Sequence, residues 1–169
     1  LVENEKDIKH LHARAIGEVQ IRDALQDLRT WAMETNFTLV TPTDNGTGPP
    51  RIMLITEWKD VLTQVSDNQA LLNSLKDSAY FARFADEASA WDQKLVSVAA
   101  YLGLLNSIQR KWVYLEPLFA RGALPHEQPR FKRVDREFVS IMKEVESDPR
   151  VMSLAQHTEY TDKLKSIHE

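Results

Sequence analysis

The sequence predicts a mainly α-helical protein: an elongated multi-helix bundle that contains one long heptad helix and one small β-hairpin. Apolar residues recur at helical spacing along nearly all of the 169 residues. One stretch, about residues 84–116, keeps an unbroken 4-3 spacing, and another, about residues 37–56, is β-branched around a group of turn formers. With 43% apolar residues the chain can bury a core, so residues 1–169 are expected to form a single helical domain with the hairpin as an insertion.

The first helix is predicted from two groups of apolar residues at helical spacing. They are Ile8, Leu11 and Ala15, followed by Ile21, Leu25, Leu28 and Ala32. Gly17 lies between the two groups, so the segment is either one helix or a pair of helices that divides there.

A β-hairpin is expected next because the character of the sequence changes after Asn36. Residues 37–41 and 51–56 are β-branched and apolar, and residues 42–50 (PTDNGTGPP) between them include an Asn-Gly pair. An isolated two-stranded hairpin is only marginally stable in water, so this one is expected to lie against the helices or to add to another sheet.

Two further helices follow the hairpin. The first begins near Glu57, and its apolar face consists of Trp58, Val61, Leu62, Val65, Leu72 and Leu75. The heptad seam of the second runs through Phe84, Ala88, Trp91, Leu95, Val98, Leu102 and Leu105; Gln109 takes the next seam position, and Trp112, Leu115 and Phe119 continue the face. A helix over residues 84–116 is about 50 Å long, whereas a compact chain of this length has a radius of gyration of about 15 Å. The long helix therefore predicts a rod-like domain.

Pro117 is predicted to end the long helix, because a proline inside a helix removes a hydrogen bond and clashes with the preceding turn. Residues 118–129 then form a joint before a helix with an apolar face of Phe131, Val134, Phe138, Ile141 and Val145. Ser147-Asp148-Pro149 is expected to stop that helix and to start a last one. The last helix has a thin apolar face (Val151, Leu154, Leu164 and Ile167), which predicts that partners beyond Glu169 complete it and that the chain is a fragment.

Composition and motifs argue against a stand-alone enzyme or a nucleic-acid-binding protein. The net charge is −4, whereas nucleic-acid contacts need a basic surface. The absence of cysteine removes thiolate catalysis and Cys-ligated zinc, and it fits a reducing compartment. None of the five glycines precedes a lysine, so the sequence has no P-loop. The charged N-terminus does not match a signal peptide, and no apolar run approaches the roughly 18 to 20 residues of a membrane span. We therefore expect a soluble cytosolic chain without catalytic, cofactor or metal residues and without nucleic-acid or membrane partners.

The small groups of titratable residues have simpler explanations than a site. His10 and His12 are two positions apart, which places them on different faces of a helix. Residues 43–47 have some features of a calcium loop but lack the closing glutamate. The acid pairs Asp86/Glu87 and Glu144/Glu146 lie at polar helix positions, where solvated faces are expected.

Large apolar side chains on the helix seams are expected to form the structural core: Trp58, Trp91, Leu102, Trp112, Phe131 and Phe138. Trp112 is expected to be the central wedge between the long helix and the next one. The joint between these helices is locally basic, and basic side chains in the first turn of a helix oppose its dipole. A neighbouring acidic surface would explain this pattern, so Arg121, Arg130 and Arg133 are predicted to form a docking surface.

Several strings in the sequence are more specific than helical periodicity requires. They are Trp58-Lys59-Asp60-Val61, Leu75-Lys76-Asp77-Ser78, residues 91–95 (WDQKL), residues 109–125 (QRKWVYLEPLFARGALP) and residues 131–135 (FKRVD). In these strings and their spacing, residues 57–154 resemble the linker region of dynein heavy chains, in its N-terminal part, and the hairpin region resembles it more loosely. Residues 121–128 (RGALPHEQ) favour the heavy chain of cytoplasmic dynein 2, the motor of retrograde intraflagellar transport. Ala120 and His126 stand where glycine and lysine are expected, and neither changes the assignment.

The resemblance implies a mechanical role. Dynein linkers are elongated helical elements that arch over a ring of six AAA+ modules and join it to the tail, and their bending and straightening delivers the power stroke along microtubules. By this resemblance the ATP and magnesium sites lie outside the chain, and its partners are the remaining linker helices, the AAA+ ring, the second heavy chain and the accessory chains. The implied location is the cytoplasm and the cytoskeleton of a cilium or flagellum.

An autonomous helical scaffold, of the spectrin-like type, is the alternative hypothesis. It shares the rod shape and the lack of catalytic motifs, but it predicts a self-sufficient bundle from a short gene product. The linker hypothesis predicts exposed apolar seams and a chain of several thousand residues.

Overall fold

The computed structural model describes residues 2–42 and 52–156. In chain order the elements are α1 (Val2–Glu34), β1 (Thr38–Val40), β2 (Leu54–Thr56), α2 (Trp58–Leu75), α3 (Ala85–Ala120) and α4 (Gln128–Ser147). Two 3-10 segments complete the list, Phe81–Phe84 before α3 and Val151–Gln156 after α4. The predicted fold class is confirmed: the protein is mainly helical, with one long helix and a small antiparallel hairpin.

Helix α3 is the element on which the others assemble. It has 36 residues, which corresponds to about 54 Å, and it packs against α2, α4 and both 3-10 segments. The predicted heptad seam is buried at Ala88, Leu95, Val98, Leu102 and Leu105. A single hydrophobic core therefore runs along α3 instead of filling the centre of a globule.

The prediction that Pro117 ends the long helix is wrong, because α3 continues to Ala120. Pro117 lies in the last turn, and the hydrogen bond that it cannot donate would go to the carbonyl of Val113. Val113 is 47% exposed, so water can reach this part of the helix. The helix ends at Ala120, and the chain turns at Gly122, whose φ of +79° suits glycine. The Gly122 and Ala123 N–H groups donate to the last turn of α3 at 3.1 Å each.

The hairpin strands pair in the predicted region, with Leu39 opposite Ile55. Most of the predicted hairpin tip lies outside the described residues, since residues 43–51 are not described. The segment before β1 is also tied to the residues that follow α4: the Phe37 N–H donates to the Pro149 carbonyl at 2.7 Å, and the Val151 N–H donates to the Thr35 carbonyl at 3.0 Å. The hairpin is therefore held by its surroundings, as its marginal intrinsic stability requires.

Helix α1 is one continuous helix of 33 residues and does not divide at Gly17. A Cβ on Gly17 would lie 2.2 Å from a ring carbon of Tyr80, so the glycine makes room for that ring. After Gly17 the face formed by Ile21, Leu25, Leu28 and Ala32 is buried in the core. Before Gly17 the predicted apolar face is not packed, and Ile8 and Leu11 are more than 60% exposed.

The end of the described chain differs from the predicted last helix. Residues 151–156 form a 3-10 segment, and the predicted face residues Leu164 and Ile167 lie outside the described residues. The apolar face is not thin here, because Val151, Met152 and Leu154 are all buried. The tight turn is held locally by the Ser153 hydroxyl, which donates to the Arg150 carbonyl at 2.7 Å.

Candidate functional site

The predicted core residues differ in how deeply they are buried. Leu102, Phe138 and Trp112 are buried, with 0%, 0% and 7% of their surface exposed. Trp58, Trp91 and Phe131 are half-buried and pack against the edge of the core. Tyr101 is also buried. It lies beside the heptad seam, so the seam spacing did not predict its burial.

Trp112 joins α3 to α4 at the junction of the two helices. Its indole Nε1 donates a hydrogen bond to Oδ1 of Asp135 at 2.9 Å. Its ring lies against Phe138 with the centroids 5.2 Å apart and the planes tilted by 42°. Trp112 therefore combines apolar burial with a satisfied polar atom, which is the usual arrangement for a buried tryptophan.

A second aromatic contact closes the junction where the chain reverses direction. Phe119 near the end of α3 stacks on Phe131 in α4, with the centroids 4.2 Å apart and the planes 5° from parallel. Gln128 at the start of α4 donates from Nε2 to the carbonyls of Phe119 and Ala123, at 3.1 Å each. The Gln128 side chain thus satisfies one carbonyl at the end of α3 and one in the loop, and it fixes the start of α4 against α3.

Leu124, in the loop between α3 and α4, has an unusual backbone. Its φ is +51°, in the left-handed region, which costs a residue other than glycine about 1–2 kcal/mol. Its side chain is 53% exposed, so burial within the described part of the chain does little to offset that cost. The local backbone therefore holds a large apolar side chain at the surface.

These features enclose a groove of about 300 Å³ between α3, the loop and α4. Its apolar lining consists of Ile108, Trp112, Leu115, Phe119, Leu124, Phe131 and Val134. Lys111, Glu127 and Arg130 contribute its charged side chains. We call it the junction groove.

The three arginines predicted as a docking surface have different surroundings. Arg130 lines the junction groove. Arg133 is exposed and forms an ion pair with Glu137 of the same helix at 3.5 Å. Arg121 is exposed in the loop that follows α3. The structure thus associates one of the predicted arginines with a concave apolar surface.

Gln109 has a structural role that its heptad position did not reveal. The buried side chain accepts a hydrogen bond from the Ile55 N–H at 3.0 Å and donates from Nε2 to the Ile55 carbonyl at 2.7 Å. Ile55 lies in β2 and is 2% exposed. The primary amide of Gln109 thus pairs with both backbone groups of Ile55 and fastens the hairpin to α3. The sequence showed only that Gln109 is a polar residue at a seam position, and this did not identify Ile55 as its hydrogen-bond partner.

Glu18 is the centre of an ionic cluster between α1 and the 3-10 segment that precedes α3. Arg14, Arg22 and Arg83 each approach its carboxylate, at 3.0, 3.9 and 3.3 Å. The hydrogen bond from Arg14, opposed by partial burial and helped by the charges of the three arginines, holds the pKa of Glu18 below its usual value. The cluster braces α1 close to Gly17.

Two features absent from residues 2–42 and 52–156 bear on the kind of site present. Within these residues no three His, Cys, Asp or Glu side chains come together in a way that would hold a metal ion. No helix in the same part of the chain is long and apolar enough to cross a membrane.

Comparison with known proteins gives a consistent result over the whole length. Residues 1–169 match the family described as dynein heavy chain, N-terminal region 2. The chain is similar to cytoplasmic dynein 2 heavy chain 1 of Tripneustes gratilla (53% identical over 154 residues, 91% of the chain) and of Homo sapiens (48% over 167 residues, 99% of the chain). It is also similar to the cytoplasmic dynein heavy chain of Neurospora crassa, at 31% identity over 175 residues and 100% of the chain. In each case the match spans 4% of the relative's length.

Proposed function

Because the chain belongs to the dynein heavy chain family, we propose that it forms the N-terminal part of the linker of a heavy chain of the cytoplasmic dynein 2 type. In this role it connects the tail to the AAA+ ring and transmits the conformational change of the ring as a power stroke. The movement is directed towards microtubule minus ends, in retrograde transport within a cilium or flagellum. The subclass is supported by the identities, which are 48–53% to the dynein 2 heavy chains of human and sea urchin and 31% to the cytoplasmic heavy chain of Neurospora crassa.

The observation that carries the proposal is the construction of α3. This 36-residue helix is buried along one seam and contacts elements from before and after it in the chain. Bending it would separate close-packed side chains along that seam, so it resists bending more than an isolated helix does. An element that transmits a displacement over tens of ångströms needs this resistance to bending.

Two contacts between elements stiffen α3 further. Gln109 ties the hairpin to α3 through both hydrogen-bonding groups of Ile55. Trp112 ties α4 to α3 through Asp135 and Phe138. The two contacts lie within one turn of each other on α3, so hairpin, long helix and α4 move as one body at this level.

In this role the chain leaves nucleotide chemistry to other parts of the heavy chain. ATP and magnesium are bound by the AAA+ ring, and the chain has no catalytic role of its own. Its partners are the remaining linker helices and the ring, and in the complete motor a second heavy chain and the accessory chains. The protein then acts in the cytoplasm, on the microtubules of the cilium.

Gly103 offers a test with a matched control. It is exposed in the middle of α3, and a Cβ there would meet no atom within 4 Å. In the complete heavy chain, Gly103→Pro should disrupt α3 at a cost of about 3 kcal/mol, while Gly103→Ala should preserve it. We expect Gly103→Pro to slow microtubule gliding while ATP turnover by the ring continues, and Gly103→Ala to glide normally. Unchanged gliding by Gly103→Pro would refute the linker role and favour the scaffold alternative.

A further inference from the structure

We propose that residues 157–169, which lie outside the described residues, dock as an amphipathic helix in a groove near the end of α1. The groove lies between α1, α3 and the 3-10 segment that follows α4. We call it the exit groove, because the described chain ends in its wall. Docking here is independent of the linker role, since it concerns only how this part of a heavy chain joins the residues that follow it.

The exit groove is a concave and mainly apolar surface with a volume of about 290 Å³. Met33 in its lining is 70% exposed, and Trp91 is half-buried at the edge of the core. The volume is about twice that of a cavity of about 150 Å³ that holds a benzene molecule, so roughly two large apolar side chains fit. The apolar lining is formed by Ala32, Met33, Trp91, Met152 and Ala155.

The basic side chains around the exit groove do not select its occupant, because each already interacts within the chain. Arg29 and Arg150 each pair with a carboxylate of the chain. The Lys94 ammonium lies 4.9 Å from the centre of the Trp91 ring. Recognition must therefore depend on the apolar lining and on which segment can reach it.

The path of the chain determines which segment can reach the exit groove. One wall is formed by the 3-10 segment, and Gln156, the last described residue, belongs to that wall. Consecutive Cα atoms are about 3.8 Å apart, so the following residues must start at the rim, and any other occupant would have to share the rim with them. Covalent attachment at so short a distance also gives residues 157–169 a high effective concentration at the groove.

The sequence of residues 157–169 (HTEYTDKLKSIHE) suits a helix docked in this groove. Tyr160, Leu164 and Ile167 follow a 4-3 spacing, which places them on one face of a helix. In a helix, Tyr160 would be about 6 Å along the axis from Gln156, which is comparable to the length of α1 that lines the groove. Tyr160 is therefore the first anchor, and Leu164, one turn further, is the second.

The exit groove also provides a surface for the part of the predicted last helix that the core does not use. Val151 and Leu154 of that predicted face are already buried by the 3-10 segment. The remaining members of the face, Leu164 and Ile167, need a second apolar surface. The exit groove is the apolar surface at which the chain arrives after Gln156.

Methionine oxidation in the complete heavy chain tests whether residues 157–169 cover the groove. Peroxide oxidises methionine according to its exposure, and Met33 lines the groove, whereas Met142 is in the core and 1% exposed. Leu164→Asp places a charge on the docking face and should raise the oxidation rate of Met33 by at least about threefold, measured by mass spectrometry. Ser166→Asp places the same charge on the opposite face of the helix and should leave the rate unchanged.

Met142 reports whether the core survives these substitutions. A Met33 rate that Leu164→Asp does not change, or that both variants raise equally, would overturn the proposal. If Met142 also oxidised faster in Leu164→Asp, the substitution would have disturbed the core, and photo-cross-linking in the otherwise native heavy chain would decide.

Photo-cross-linking from position 33 identifies the occupant directly. With a benzophenone amino acid in place of Met33, we expect capture at Tyr160 or Leu164 of the same polypeptide. Tyr114 is the control position, because it is 72% exposed but lies about 30 Å along α3 from the groove, and it should not capture this segment. The proposal would be overturned by the absence of a cross-link, by capture of another segment or of a second heavy chain, or by capture confined to residues 157–158, which follow Gln156 directly.

Discussion

Replacing Gln109 by methionine isolates the contribution to stability of the two Gln109–Ile55 hydrogen bonds, which join the hairpin to α3. Methionine has nearly the length and volume of glutamine, so Gln109→Met removes the hydrogen bonds without leaving a large cavity. The Ile55 N–H and carbonyl then lose their partners. Because Ile55 is 2% exposed, water cannot easily replace the lost amide.

The expected cost follows from the two groups left unsatisfied. A buried donor or acceptor that loses its partner costs about 1–3 kcal/mol, so two such groups cost about 2–6 kcal/mol. Burying a thioether instead of an amide recovers part of this loss, which leaves about 3 kcal/mol. For a chain of this length that corresponds to a fall in Tm of about 6–12 °C.

The assay is thermal and urea unfolding of the parent and the variant, followed by circular dichroism, with hydrogen exchange of the Ile55 amide as a local measure. Gln93→Met on the same helix is the matched control, because Gln93 is exposed. The control should change the free energy of unfolding by less than about 0.5 kcal/mol. In the variant, the Ile55 amide should exchange faster than in the parent.

A third substitution tests the hydrogen-bond pattern itself. Gln109→Glu keeps the acceptor for the Ile55 N–H but, when ionised, has no donor for the Ile55 carbonyl. Burial and the facing carbonyl should raise the pKa of the new carboxyl, so its destabilising effect should shrink as pH falls and the protonated acid becomes a donor. The reasoning would be refuted if Gln109→Met unfolded within about 0.5 kcal/mol of the parent, or if the effect of Gln109→Glu were independent of pH.

Three further predictions concern other parts of the structure. Trp112→Ala should lower the free energy of unfolding by about 3–5 kcal/mol, because it empties the α3–α4 contact; a Tm within a degree of the parent would contradict this. Gly17→Ala should destabilise the protein in urea unfolding despite the better helix propensity of alanine, because its Cβ would lie 2.2 Å from the Tyr80 ring. The pKa of Glu18 is lowered by Arg14, so the stability that Glu18 contributes should be present above about pH 4.5 and be lost as pH falls through its lowered folded pKa. The difference in unfolding free energy between the parent and Glu18→Gln, measured across that range, checks the last prediction.

Each of these predictions has a matched control. Val113→Ala, next to Trp112 but 47% exposed, should be nearly neutral. Gly103→Ala has open space around its Cβ and should stabilise by about 0.5–1 kcal/mol, so equal effects at Gly17 and Gly103 would contradict the steric argument. Glu5→Gln removes a carboxylate that is 68% exposed and pairs with Lys9, so it should leave the free energy of unfolding nearly unchanged; a loss equal to that of Glu18→Gln would mean that Glu18 has no special role.

Periodicity predicted the parts of the fold in which one apolar face is buried along its length. The α3 seam at Leu95, Val98 and Leu102 is an example, because these positions meet the core in every heptad. The end of α3 was predicted wrongly because a proline in the last turn removes one hydrogen bond at an exposed position. The actual end depends on Gly122, whose positive φ allows the chain to turn back on the helix.

The candidate site was harder to predict from the sequence because it depends on tertiary contacts. Arg130 was singled out on charge, but the apolar groove beside it is formed only when α4 folds back on α3. The orientation of the Leu124 side chain depends on one backbone angle, which its residue type does not favour. Likewise, Gln109 was visible as an exception in the seam, but its partner is 54 positions away in the chain.

The contact between Gly17 and Tyr80 divides α1 into two segments with different resistance to unwinding. Residues 2–16 are exposed around the helix, and an isolated helix of that length is only marginally stable in water. From Ile21 onwards the helix is anchored in the core. Amide hydrogen exchange should therefore be fast in residues 2–16 and slower from Ile21 onwards, beyond the contact with the Tyr80 ring. A force applied through Val2 would unwind α1 as far as Gly17 before it disturbed the core.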